Sequence, residues 1–451
     1  MHVTPSTNKI NVSNLVACPF NNTIFINRRE KLFNQLPEKS LVIIPNNQIS
    51  IRSNSTEYKF RSDSDFYYLT GFEEPNSICV LKKDNGACAY IMFVEPNDKD
   101  KEIWTGKKAG LEGAKSIYKA NESYSISGFD TKLKDLVKGT EYIYLPFGKN
   151  KDLELKVTSL IGGLKLDNRN MAKSPKAIFD FRDIVHKMRL VKDDYELNCI
   201  QKAADISKVS HIIAMYQAKP LMFEYELEAI IESHFRALGG NGPAYSTIVG
   251  SGENATTLHY INNNRKIQEN DLVLVDAGCE YNYYASDVTR TFPVSHKFTS
   301  AQKDIYEIVL KAQEEAIKEI KPGKRFIESY DKAVLVIVEG LKELGLLNGS
   351  TEEIIKNGGY KKFFMHKIGH WLGLDVHDAG PCFEDNGDSI KLSPRMVLTI
   401  EPGIYISRSL ENIPPHFQGI GVRIEDDILV TEDGNRILTN GIPKAIEEIG
   451  L

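Results

Sequence analysis

The spacing of apolar positions changes period along the chain, and those changes mark out its elements. Before about residue 170, short β-rich runs at 41–44, 78–81 and 90–94 alternate with charged helical stretches, a pattern that predicts a small α/β unit. Helical period then takes over. Asp193 and Glu196 have capping-box spacing, Leu197, Ile200, Ala204, Val209 and Ile213 give the helix that follows an apolar face, and Pro220 ends it. A second helix is predicted over 224–238, closed by Gly239-Gly240. A third follows Thr299, with Gln302 three residues on, and stops at Pro322-Gly323, and a fourth spans 327–344. Strand-like segments lie between and after these helices at 271–277, 285–294, 396–406 and 420–430. Helices and antiparallel strands thus share one unit, and the chain reads as α+β with a boundary in 175–190.

Composition narrows this picture. At 451 residues, 41% hydrophobic and 26% charged, the chain has the content of an ordinary globular protein and the length of two domains. No apolar run approaches the ~18 residues a membrane span needs, so no membrane is expected as a partner. A net charge of −5 spread over both signs offers no basic face to a phosphate backbone, which argues against nucleic acid. The six cysteines show no CxxC pair or regular spacing, which argues against a disulfide framework and a thiolate zinc site and points to a reducing compartment. The first 29 residues contain no Asp or Glu, as in organellar transit peptides, but hold only Lys9, Arg28 and Arg29 as strong bases. The cytoplasm is therefore the expected location, with the mitochondrion as the alternative.

Chemistry concentrates in the second half. The apolar run 272–275 abruptly presents Asp276, and Asp287 follows across a predicted hairpin, so that two carboxylates would face each other. Burying like charges side by side is costly unless a cation or a shared proton neutralises them; two surface turn aspartates are the plain alternative. His366, His370 and His377, three of the ten histidines, fall within twelve positions among apolar residues and glycines. A single buried histidine is usually a satisfied core residue, whereas three with glycine spacers suit a site that needs imidazole for ligation and hydrogen bonding. Glu401 ends the run 396–400, and Glu425 sits in Gly421-Val-Arg-Ile-Glu425. Four carboxylates and one imidazole form an oxygen-rich, sulfur-free set that suits hard divalent ions such as Mn²⁺. Such a set can hold two ions sharing an activated water, which predicts hydrolysis.

With their flanks, Asp276, Asp287, His370, Glu401 and Glu425 resemble the ligands of the pita-bread metallopeptidases. Within that group the chain is similar to the aminopeptidase P (Xaa-Pro aminopeptidase) type, through Arg61-Ser-Asp-Ser-Asp-Phe-Tyr-Tyr-Leu-Thr-Gly-Phe72, Glu102-Ile-Trp-Thr-Gly106, Ile248-Val-Gly-Ser-Gly-Glu-Asn254 and the segment 366–378. The resemblance implies a three-part chain: an extension at 1–24, a small α/β domain at 25–180, and a catalytic domain at 181–451 built on a curved, largely antiparallel sheet. It implies further that Asp276 holds one ion, that Asp287 and Glu425 bridge two, and that His370 and Glu401 complete the second, with Glu401 also accepting a proton from water. His259, His366 and His377 would orient substrate and steady the oxyanion, Arg423 would anchor the ligand strand or the substrate, and Tyr405 would line the cleft. The implied substrate is a peptide with proline second, and the implied assembly a homodimer or homotetramer in which Trp104 contacts a neighbour's cleft.

Two departures from the family pattern stand out: the loop 381–388 is acidic and borders the cleft if it follows His377 closely, and Arg395 replaces a glycine, which would alter a turn. The glycine-rich pieces 106–110 and 239–242 lack phosphate-loop spacing and read as turns. Cys279, three residues after Asp276, is expected to be a packed core thiol rather than a nucleophile. A prolidase shares the ligands but prefers dipeptides. Methionine aminopeptidases lack the first domain, creatinase-like hydrolases lack this metal set, and a non-catalytic scaffold would have lost ligands that are all present.

Overall fold

The computed structural model describes residues 20–167 and 171–449. Residues 1–19, most of the expected extension, lie outside these. The first helix is Asn22–Gln35, with Asn21 as its N-cap. The chain divides into two compact units, one running from Pro19 to Met188 and the other from Arg189 to the C-terminus.

In the first unit a six-stranded sheet has the order Glu122–Ser125, Ala87–Val94, Ile78–Asp84, Ser40–Pro45, Tyr142–Leu145, Ala177–Asp180. Only Ile78–Asp84 runs antiparallel to its neighbours. Leu41, Ile43, Val80, Ile91, Phe93 and Ile143 alternate onto one face and bury it against Leu133, Val137, Val157 and Ile161 of the helices Phe129–Val137 and Lys151–Leu166.

The second unit carries the four helices that the sequence predicts. Helix Asp194–Gln217 is closed at its start by a reciprocal capping box between Asp193 and Glu196, and Ser300–Lys318 by one between Thr299 and Gln302. The buried face of Asp194–Gln217 differs from the expected one. Ile200 and Ala204 are buried as expected, but Leu197, Val209 and Ile213 are only half-buried, and Cys199, Ala203, Ile206, Ser207, Ser210 and His211 are buried beside them. The inward polar residues are satisfied there: Cys279 N donates to Ser207 Oγ at 2.9 Å, His211 Nε2 donates to Ala277 O at 2.8 Å, and Ser210 Oγ donates to Ile206 O of its own helix at 2.9 Å.

Every strand pairing in this unit is antiparallel, and among the described residues the strands fall into four short sheets. Between Leu272–Asp276 and Thr289–Pro293 the chain makes a tight hairpin, Tyr281 opposite Tyr284, with Asn282 and Tyr283 at φ 47° and 72° as a two-residue turn requires. The segments expected as continuous strands at 285–294, 396–406 and 420–430 are each interrupted, at 286–288, 401–402 and 424–425. The last two gaps face each other, since Ile400 pairs Asp426 and Gly403 pairs Arg423 on either side of them. Pro402 has no N–H to give the ladder, and the acids at the gaps turn out of it.

Arg395, at the expected glycine turn, keeps a glycine-like backbone at φ 72°. Hydrogen bonds hold it there: Nε to Lys192 O at 2.6 Å, Nη2 to Asp194 at 2.5 Å, and Lys192 N to its own carbonyl at 3.0 Å.

Candidate metal centre

The strand gaps decide where the acids point. Asp276 ends its strand, Asp287 lies in the gap after the hairpin, and Glu401 and Glu425 occupy the two facing gaps. With His370 they face one cavity of about 600 Å³, whose walls also carry His259, His366, His377 and Arg423. Asp276, Asp287 and Glu425 are buried, Glu401 and His370 half-buried. Donor atoms of Asp287, His370 and Glu425 lie within 4.8 Å of one another, a spacing suited to a metal ion. His370 Nε2 is 3.3 Å from Asp287 and 3.8 Å from Glu401.

Backbone packing sets the histidines. A Cβ at Gly369 would come within 1.9 Å of Thr399 O, so only glycine lets the 366–370 loop lie against the strand that leads to Glu401. His370 Nδ1 donates to Trp371 O at 3.0 Å, which leaves Nε2 directed at the acids, the orientation of a ligating imidazole. His366 Nδ1 donates to Lys367 O at 2.7 Å, and its Nε2 meets Tyr405 OH at 2.9 Å.

Electrostatics shows a site crowded with negative charge. Burial, then repulsion from Asp287, Glu401 and Asp276, pushes Glu425 well above the usual carboxylate range. Burial raises Glu401 to about 7, the charges of His370 and Arg423 opposing and those of Asp287 and Asp276 adding. Burial alone would lower His370, but its hydrogen bond to Asp287 and the charges of Asp287 and Glu401 carry it up to about 9. His366, desolvated and beside Arg423, falls to about 4 and is neutral.

Three placements differ from expectation or extend it. Tyr405, expected to line the cleft, is buried behind it: its hydroxyl links His366 to Arg423, whose Nη1 donates to it at 3.0 Å. Arg423 is itself buried and donates to Asp276 Oδ2 at 2.6 Å, so of its two expected partners it holds the ligand strand. The acidic loop 381–388 contributes nothing to the cavity wall, and Cys279 is a buried thiol whose pKa burial raises.

Other groups had no signal in the sequence. Tyr245 OH lies 2.6 Å from Asp276 and 2.5 Å from Asp287, although its one proton can serve only one of them. Asp427 accepts from Ser286 Oγ at 2.8 Å and from Asp287 N at 3.1 Å, holding the Asp287 gap from behind. Arg290 donates to Glu425 O at 2.6 Å and pairs with the buried Asp426 at 2.7 Å. None of these residues belongs to an apolar period or a recognisable spacing.

Comparisons with known proteins bear on both units. A model of metallopeptidase family M24 matches residues 198–432, and one of the aminopeptidase P N-terminal domain matches residues 25–144. The chain is 41% identical over 426 residues to an Xaa-Pro aminopeptidase of Escherichia coli, covering 94% of this chain and 96% of that one. A Pseudomonas aeruginosa aminopeptidase superposes with a TM-score of 0.93 at 40% identity, covering 96% and 98% of the two chains. Zinc-substituted aminopeptidase P of E. coli, solved in complex with product, gives 0.92 at the same identity and coverage.

Proposed function

The chain belongs to metallopeptidase family M24, and we propose that it is an Xaa-Pro aminopeptidase, releasing the N-terminal residue that precedes a proline. One observation carries the reading: four carboxylates and a correctly turned imidazole face a single cavity in a chain 41% identical over 94% of its length to such an enzyme. The donor set fits divalent metal. Four carboxylates are met by Arg423 and, when protonated, His370, which leaves negative charge in excess, and oxygen-rich ligands favour hard ions. We take Asp276, Asp287, His370, Glu401 and Glu425 as the ligands of two ions, Mn²⁺ first among the candidates. When bound, such ions lower the pKa of water towards neutrality and polarise the carbonyl before proline.

The chain's own groups then have distinct tasks. Glu401 takes up the proton released by water. Neutral His366 spends both nitrogens, donating to Lys367 O and accepting from Tyr405, so the geometry favours His377 over His366 as donor to the developing oxyanion. His259, also on the cavity wall, is assigned to substrate, and Arg423 with Tyr405 to holding Asp276 and His366 in register. A proline imide has no N–H and a fixed φ, so a peptidase that recognises the scissile N–H as a donor handles it poorly and a dedicated pocket is needed.

Trp104 and Ile103, 87% and 82% exposed on a helix with no buried residue, support a homodimer or homotetramer in which this face is covered. Comparing Xaa-Pro-Xaa, Xaa-Ala-Xaa and Xaa-Pro substrates tests the specificity. Release only from Xaa-Pro-Xaa supports the proposal, release confined to Xaa-Pro makes the chain a prolidase, and equal release from Xaa-Ala-Xaa removes the proline requirement.

A further inference from the structure

His377 sits on the cavity wall beside the ligand His370, their rings edge to face with centroids 4.4 Å apart. Hydrogen bonds fix His366 and His370, but none holds the ring of His377 among the described residues, and its side chain is exposed to the cavity. Its position therefore comes from its backbone. The loop 371–378 closes on itself through Asp378 N to Trp371 O at 2.9 Å, and it is tied to the hairpin by Ala285 N to Gly373 O at 2.8 Å.

The next residue, Asp378, is buried away from the cavity wall. Its carboxylate is 1% exposed and accepts from Lys192 Nζ at 2.8 Å and Arg189 Nη2 at 2.6 Å, side chains that are 0% and 3% exposed. Lys192 Nζ also donates to Arg189 O, and the pair sits where helix Asp194–Gln217 begins. Gly373 packs so closely on this group that a Cβ there would meet Asp378 Oδ2 at 2.2 Å. A buried carboxylate between two buried cations is costly to assemble and stiff once made.

We infer that Asp378, clamped by Lys192 and Arg189, is a positioning residue that fixes the backbone of His377 against the metal centre. The inference rests on the proposed role of His377 as oxyanion donor.

A double-mutant cycle in the metal-loaded, full-length protein tests it: D378N, H377A and the pair, read on an Xaa-Pro-Xaa peptide, with hydrogen exchange followed over 371–378. D378N is expected to lower kcat ~10–100-fold with little change in KM and with metal content retained. The double variant is expected to be no slower than H377A alone, because the clamp acts through His377. Exchange is expected to quicken over 371–378 and to stay unchanged in the strand 272–276. Additive losses, an unchanged kcat in D378N, or H377A at the wild-type rate would each overturn the inference. If D378N does not fold, K192M, which leaves the Asp378–Arg189 pair intact, takes its place with a smaller loss and the same non-additivity. A wild-type chain inactive on every Xaa-Pro peptide would sink the proposed function; unchanged exchange in D378N would sink the clamp independently.

Discussion

Loading the centre with metal should expel protons, in a number that changes with pH as the site geometry dictates. In the metal-free protein Glu401 titrates at about 7 and His370 at about 9. A cation needs both groups deprotonated, so below pH 7 it displaces two protons, between 7 and 9 one, and above 9 neither. Each displaced proton steepens the affinity by about tenfold per pH unit. Mn²⁺ affinity should therefore climb ~100-fold over one unit on the acid side of 7, and ~10-fold over one unit between 7 and 9. About a fifth of each side chain faces the cavity, 20% for Glu401 and 21% for His370, and screening there rounds the two steps. Glu425 and Asp276 are also raised, so each of these proton counts, and the slope that follows from it, is a floor.

Stability follows with a definite sign. Both folded-state pKa values lie above the 4.5 and 6.5 ordinary for a free glutamate and histidine side chain. The stabilisation they lend metal-free protein is complete below those values and is lost as pH rises through about 7 and about 9. Metal should then restore what alkaline pH removes, so the metal-induced rise in Tm grows with pH. His211, lowered to about 4 by burial, has the opposite slope but lies outside the ligand set and cancels between loaded and metal-free protein. Isothermal titration in buffers of different ionisation enthalpy counts the protons directly. A flat affinity from pH 6 to 8, or no proton release at pH 6, would refute the reasoning.

Three substitutions extend the account. Glu401→Gln should lower kcat by ~10²–10⁴-fold on an Xaa-Pro-Xaa peptide while leaving the far-UV spectrum unchanged. Arg423→Met strips the buried Asp276 of its 2.6 Å partner and should cost ~3–5 kcal/mol in urea unfolding of metal-free protein, less in the loaded form where a cation replaces the lost charge. Trp104→Ala should shift the proposed homo-oligomer towards smaller species in light scattering without lowering the protomer's Tm, because that side chain is 87% exposed.

How far the site was legible depended on where each residue sits in the apolar pattern. Asp276 and Glu401 each end a run of buried strand residues, so a carboxylate there is conspicuous, and the cluster of His366, His370 and His377 is dense enough to mark itself. The strand interruptions were legible only in part: Glu401-Pro402 and the run Glu425-Asp426-Asp427 visibly break the apolar segments 396–406 and 420–430, but nothing in the sequence says that the two gaps face each other or that the chain leaves its ladder at 286–288. The helix face went astray for a related reason. Ser207, Ser210 and His211 look like solvent residues by hydropathy, yet they are buried with their polar atoms bonded: Ser207 to Cys279 N, His211 to Ala277 O, and Ser210 to Ile206 O of its own helix. Tyr245 and Asp427 act on Asp276 and Asp287 from 31 and 140 residues away, and Asp378, within a recognised stretch, owes its role to Lys192 and Arg189, far from it in sequence.

The central claim is that five residues hold two ions that cleave the bond before proline. It is tested most directly by titrating metal-free protein with Mn²⁺ while following release of the first residue from an Xaa-Pro-Xaa peptide. The account predicts no release without metal, a rise that breaks at two equivalents per chain, and no rise in an Asp287→Ala variant. Full activity without metal, or none at any metal loading, would contradict it.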